Sequence, residues 1–192
     1  MVGDSRTPLG WHSRGFLPHF DSPERVQHVV MRAVDSLPQH VLENVTSNVV
    51  ARRESVALFL DSGVGECPFR SLHHAEIIEH ALLHFDSVRY RLLAWCVMPN
   101  HVHVVVQQID GFRLGDVVRT WKMFSTKQIN EARGGNGRVW APDYFDRYIR
   151  SDDHLVDVLN YVENNPMIAG LVGSPEEWAF SSARGRRSGA VH

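Results

Sequence analysis

Two spacings of apolar residues alternate along this chain. Over residues 91–98 and 102–106 apolar side chains follow one another almost without a break, and Pro99-Asn100 between the two runs is turn chemistry. That pattern predicts a hairpin buried on both faces. Residues 27–34, with Val29, Val30, Ala33 and Val34, are too short a run for a helix and predict a first strand. Elsewhere the period is helical. Ala75, Ile78, Leu82 and Phe85 mark a helix over 72–85, and Val117, Val118, Trp121, Phe124 and Ile129 mark another over 114–132, which Gly134-Gly135-Asn136-Gly137 ends. Pro38 opens a further helix reaching about residue 60, although Val45, Val49 and Val50 lower its propensity. Residues 61–70 read as a loop and 144–150 as a short extended piece. Ser151-Asp152-Asp153 supplies a cap and an acidic first turn for a last helix, whose core face is Leu155, Val158, Leu159 and Val162; Pro166 is expected to end it. Residues 10–21 read as an ordered but irregular arm, and 181–192, with Arg184, Arg186 and Arg187, as a flexible basic tail.

The order strand, helix, helix, hairpin, helix, strand, helix predicts an α+β fold, a ferredoxin-like sandwich with an antiparallel sheet and helices packed on one face. A length of 192 residues suits one domain spanning 1–192. No apolar run is long enough to span a bilayer, so no membrane partner is expected. The first residues lack the features of a secretory signal, which points to a cytoplasmic location. Cys67 and Cys96 are the only cysteines, too few for a disulfide framework or a cysteine metal site.

A net charge of −2 is low for a protein that binds phosphates, but its distribution is uneven. Residues 113–150 carry eight basic side chains against four acidic ones, a local balance of +4. A solvated helix and loop would show the same surplus, so charge alone leaves the two readings even.

His101 and His103 occupy alternate positions in the second apolar run, so in a strand both imidazoles point to one side of the sheet. Two adjacent buried histidines need partners. A divalent metal is one, and a mutual hydrogen-bonding arrangement with no metal is the other; the spacing does not separate them. On the last helix His154, Tyr161 and Asn165 share one edge, with Tyr161 and Asn165 one turn apart. A tyrosine hydroxyl is a poor nucleophile near its free pKa of about 10, so a nucleophilic role needs a polarised phosphate or a nearby base. A half-buried tyrosine with a satisfied hydroxyl is the plainer reading of Tyr161 by itself.

Trp95-Cys96-Val97-Met98-Pro99-Asn100-His101-Val102-His103 resembles the HUH motif, and Tyr161-Val162-Glu163-Asn164-Asn165-Pro166 the tyrosine-helix motif, of the REP-associated tyrosine transposases, within the single-tyrosine HUH (IS200-like) group. Trp11-His12-Ser13-Arg14-Gly15, the stretch from Tyr144 to Arg150, and Trp178-Ala179-Phe180-Ser181-Ser182 match in the same order. The resemblance implies a ferredoxin-like core with the catalytic tyrosine, Tyr161, on a C-terminal helix. It implies that His101, His103 and Asn165 hold Mg²⁺ or Mn²⁺, and that Tyr161 attacks single-stranded DNA to leave a 5′-phosphotyrosine link. The implied partner is single-stranded or hairpin DNA of the repetitive extragenic palindrome type, bound by a monomer or homodimer associated with the nucleoid while it acts. Arg113, Arg119, Lys122 and Lys127 are candidate DNA contacts, with Trp121 as a stacking surface or a core anchor. Two other readings stay open: a hairpin-binding descendant that no longer cuts, and a metal-dependent phosphodiesterase that uses water.

Overall fold

The structure, a computed structural model, describes residues 7–13, 18–37, 59–60, 63 and 65–186. Two short antiparallel strands, β1 (Gly10–Ser13) and β2 (Pro18–Asp21), precede a four-stranded sheet. That sheet is built from β3 (Val26–Arg32), β4 (Tyr90–Val97), β5 (His101–Gln108) and β6 (Phe145–Tyr148), all antiparallel, in the spatial order β4-β5-β3-β6. Helix α1 (Leu72–Leu83) connects β3 to β4 and α2 (Leu114–Ala132) connects β5 to β6. This is the ferredoxin-like βαββαβ order that the pattern predicts. Helix α3 (Asp152–Ile168) and the short α4 (Ala183–Arg186) follow. The helix expected over 38–60 lies almost wholly outside the described residues.

Alternation along β5 divides its side chains between two layers. Val102, Val104 and Val106 join Val29 and Met31 of β3 in the main core, closed by Ile78 and Leu82 of α1 and by Val117, Val118 and Ile129 of α2. His101, His103 and Val105 therefore face the opposite layer. There Val105 packs with Ala94, Cys96 and Met98 under Leu155, Val158, Leu159 and Val162 of α3. The two crossover helices thus share one face, and α3 covers part of the other. A β-bulge makes this possible. The register of β4 against β5 shifts between Leu92 and Ala94, so the strand puts Tyr90 and Leu92 in the first core but Ala94 and Cys96 under α3.

Trp121 is a core anchor. It is buried, its Nε1 donates to the Tyr90 hydroxyl at 2.8 Å, and that hydroxyl donates to the carbonyl of Leu82 at 2.7 Å.

Three local expectations change. The arm at 10–21 contains a regular hairpin, with Trp11 paired to Phe20 and His12 to His19. Pro166 does not end α3, which runs to Ile168. Its missing N–H forgoes one helical bond, as anywhere in a helix interior, but only two helical residues follow, and the turn closes because Ala169 N–H donates to the carbonyl of Asn165 at 2.9 Å and Leu171 N–H to that of Pro166 at 2.9 Å. Gly170, at φ +69°, provides the left-handed residue that stops the helix. Residues 181–186, expected to belong to a flexible tail, are docked. Val97 N–H donates to Phe180 at 2.9 Å and Ser182 N–H to Trp95 at 3.0 Å, so this segment covers the open edge of β4.

Candidate metal and nucleic-acid site

His101 and His103 are both buried, and their Nε2 atoms meet at 2.9 Å. His101 Nδ1 lies 2.8 Å from Asn100 Oδ1, in the turn that joins β4 to β5. Because an amide oxygen only accepts, His101 carries its proton on Nδ1 and presents the lone pair of Nε2. On its other side His103 Nδ1 stands 3.0 Å from Nε2 of His28, in β3, and the two rings stack with centroids 5.2 Å apart at 23°. The sheet register explains the meeting: Val30 is opposite His103, so His28 lies one diagonal step away on the same face.

Helix α3 brings Tyr161 against this row. Its ring is edge-on to His103, with centroids 5.4 Å apart at 84°, and edge-on to His28 at 6.1 Å and 74°. One turn later Asn165 is fully buried, and neither its Oδ1 nor its Nδ2 has a hydrogen-bond partner. A buried amide without partners is costly, on the order of 1–3 kcal/mol, and such groups are rare outside sites that take a ligand. The structure therefore brings Tyr161 of α3 against His103 of β5, with the buried Asn165 amide one turn further along the helix.

Burial, and next to it the neighbouring His101 and His28, push the His103 imidazole well below its ordinary pKa. The ring is held neutral, the state in which a histidine can ligate. Among the described residues no group of three or more His, Cys, Asp or Glu side chains could hold a metal ion. His28 meets the far nitrogen of His103 and does not point where the two Nε2 atoms converge. The donor set does suit an octahedral cation. Cis ligands at bonds of about 2.1 Å stand about 3 Å apart, which the two Nε2 atoms satisfy at 2.9 Å. The orphaned Asn165 amide offers an oxygen, and imidazoles with one oxygen donor favour Mn²⁺ over a tight Mg²⁺ site.

The basic residues of α2 are elsewhere. Arg119, Lys122 and Lys127 belong to a helix on the sheet face opposite the histidines, and Arg113 is its N-cap. Arg119 pairs with Asp116 at 3.6 Å, Lys127 with Glu131 at 3.9 Å, and Arg113 Nε donates to the carbonyl of Thr7 at 2.7 Å. Lys122 is turned into the fold, its ammonium donating to the carbonyls of Ala141 at 3.0 Å and Asp143 at 2.9 Å. Sequence reasoning missed Arg147, which is exposed and directly opposite His28 in the β3–β6 register. It missed His28 as well. The alternation of His28 and Val30 with buried Val29 and Met31 was the available signal.

Residues 71–165 match the family model described as transposase IS200 like. This segment is similar to the IS200-like transposases. It runs from the N-cap of α1 to Asn165 and so contains His101, His103 and Tyr161. A Haemophilus influenzae protein described as a REP-associated tyrosine transposase is 24% identical over 105 residues, 48% of this chain, and the match spans 58% of that relative's length. A solved structure described as the REP-associated tyrosine transposase bound to a REP hairpin superposes with a TM-score of 0.60 at 17% identity, over 93% of this chain and 88% of that one. At that identity the likeness is one of fold.

The IS200-like segment excludes the β1–β2 hairpin and β3. Buried polar contacts attach the hairpin, beside the packing of Trp11 and Phe20 on the Tyr148 ring. His19 is fully buried, and its two ring nitrogens meet Asp146 and, at 3.0 Å, Asp143. Burial lowers its pKa, but hydrogen bonds and charge from the two carboxylates outweigh that and raise it to about 9. Asp21 completes the attachment by accepting from the N–H of Leu114, at the start of α2, at 2.9 Å.

Proposed function

We propose that the chain cuts and rejoins single-stranded DNA beside hairpins of the repetitive extragenic palindrome type, with Tyr161 as nucleophile. The observation that carries this is the edge-on packing of Tyr161, on α3, against His103 of the His101–His103 pair of β5, with the unpartnered Asn165 amide one turn later on the same helix. His101, His103 and Asn165 would hold Mg²⁺ or Mn²⁺, which when bound polarises the scissile phosphate and offsets charge in the transition state. The Tyr161 oxygen forms a bond to phosphorus while the bond to the 3′ oxygen breaks, and the departing oxygen leaves as a 3′-hydroxyl. The 5′-phosphotyrosine link preserves the energy of the broken bond, so another 3′-hydroxyl can displace Tyr161 and rejoin the strand. Tyr161 packs against a buried apolar cluster of Cys96, Met98, Val105 and Val162, which would limit the access of water to this exchange. Arg147, on the histidine face, is the cation placed to bind the approaching backbone. The DNA partner and family name of the relatives above support this reading.

The test is a covalent adduct between protein and single-stranded oligonucleotide, resolved by denaturing electrophoresis. The adduct should need Mg²⁺ or Mn²⁺ and vanish in Tyr161→Phe. Hairpin binding with no adduct under any divalent ion points to a protein that binds without cutting. Cleavage that persists in Tyr161→Phe points to water as nucleophile.

A further inference from the structure

We infer that His28 is a positioning residue for the metal site, acting on His103 as a hydrogen-bond partner that can either donate or accept; this rests on the metal-dependent reading of the site proposed above. The order of the chain of rings decides it. His101 donates through Nδ1 to Asn100 Oδ1, so its Nε2 accepts, and His103 Nε2 must donate to it across 2.9 Å. His103 Nδ1 then accepts from His28 Nε2 at 3.0 Å. With this arrangement the Nε2 lone pair of His101 is taken up by the His103 proton, and neither nitrogen faces a cation until that proton leaves. For His103 Nε2 to ligate, its proton must move to Nδ1, and the partner there must change from donor to acceptor.

A neutral imidazole can make that change. His28 moves its own proton from Nε2 to Nδ1, each ring keeps one proton, and the overall charge is unchanged. A backbone carbonyl or carboxylate in its place would lock His103 in the ligating tautomer, and a lysine would lock it in the other. His28 is half-buried, which leaves exchange with solvent open. Its stacking on His103 at 23°, and the edge-on contact both rings make with Tyr161, fix the ring planes while the protons redistribute. Outer partners of metal-bound histidines commonly alter metal affinity 10- to 100-fold.

The experiment measures Mn²⁺ binding to the DNA-free protein by the paramagnetic resonance of free Mn²⁺, for the native chain, His28→Ala and His28→Gln. The expected result is a loss of about 10- to 100-fold in His28→Ala, with His28→Gln, whose amide both donates and accepts, within about threefold of native. In parallel, ¹⁵N–¹H spectra of the native imidazoles should show the His103 proton on Nε2 without metal and on Nδ1 with Mg²⁺. Native affinity in His28→Ala, equal loss in both variants, or an unchanged His103 tautomer in the metal-loaded protein overturns the role of His28 and leaves the metal reading intact. Absence of Mn²⁺ binding by the native chain overturns both.

Discussion

Tyr161 stands edge-on to His103, with ring centroids 5.4 Å apart and planes at 84°. An edge-on ring is placed along the rim of its neighbour and does not cover it, so the helix delivers the tyrosine to the row of histidine nitrogens without blocking it. Removing only the hydroxyl should preserve this packing. Tyr161→Phe is expected to abolish covalent capture of DNA while leaving oligonucleotide affinity within about threefold and stability within about 0.5 kcal/mol, measured by thermal unfolding. Capture that survives in this variant moves the nucleophile elsewhere.

In the proposed site Asn165 would set stability against metal binding. Its buried, unpartnered amide burdens the fold of the metal-free protein. Asn165→Leu, apolar and of similar size, should raise stability by about 1 kcal/mol, which is roughly 2–4 °C in Tm for a chain of this length, and should weaken Mn²⁺ binding. Lower stability in the variant would mean that the amide already has a partner.

The two faces of the sheet separate candidate DNA contacts. Arg147→Ala should weaken binding of single-stranded oligonucleotide and reduce the slope of log affinity against log salt by about one. Arg119→Ala, on the opposite face and already paired with Asp116, should change neither. The reverse ranking, read from binding isotherms at several salt concentrations, would put the DNA on the α2 side.

The buried His19 makes stability depend on pH. Its folded pKa of about 9 is above the ordinary 6.5, so its contribution is fully present below about pH 6.5 and is lost as pH rises through 9. Lys122 works in the opposite direction. Burial, which outweighs the attraction of Asp143, lowers its pKa from 10.5 to about 8, so the cost of burying its charge is relieved as pH rises above 8. Comparing native protein with His19→Gln isolates the first effect. The difference in unfolding free energy should be on the order of 2–3 kcal/mol at pH 6 and should shrink steadily toward pH 9. A difference independent of pH would show that the His19 charge does not secure the hairpin.

The parts of the site legible in the sequence are those set by local periodicity. His101 and His103 share a face because strands alternate, and Tyr161 and Asn165 adjoin because helices turn in 3.6 residues, so each pair is legible by itself, whereas joining the two pairs rests on the resemblance to a known family. His28 is 75 residues from His103, and only the pairing of β3 with β5 places it there. The position of the candidate DNA contacts relative to the histidines is hidden for the same reason. The basic surplus of α2 is visible in the chain, but which face of the sheet that helix covers is decided by its crossover from β5 to β6. The bulge in β4 changes which of its residues share a layer, an event that a run of apolar residues does not reveal. Pro166 reads as a stop because proline is costly inside a helix, yet the turn after it closes on the carbonyls of Asn165 and of Pro166 itself.

The most direct measurement is to digest the protein–oligonucleotide adduct and find, by tandem mass spectrometry, which residue carries the DNA. The account predicts a 5′-phosphorylated nucleotide fragment linked to the oxygen of Tyr161, formed only with Mg²⁺ or Mn²⁺ and absent from the His103→Ala protein. A link to Tyr144 or Tyr148, or cleaved DNA whose 5′-phosphate is free in the native reaction, would contradict it.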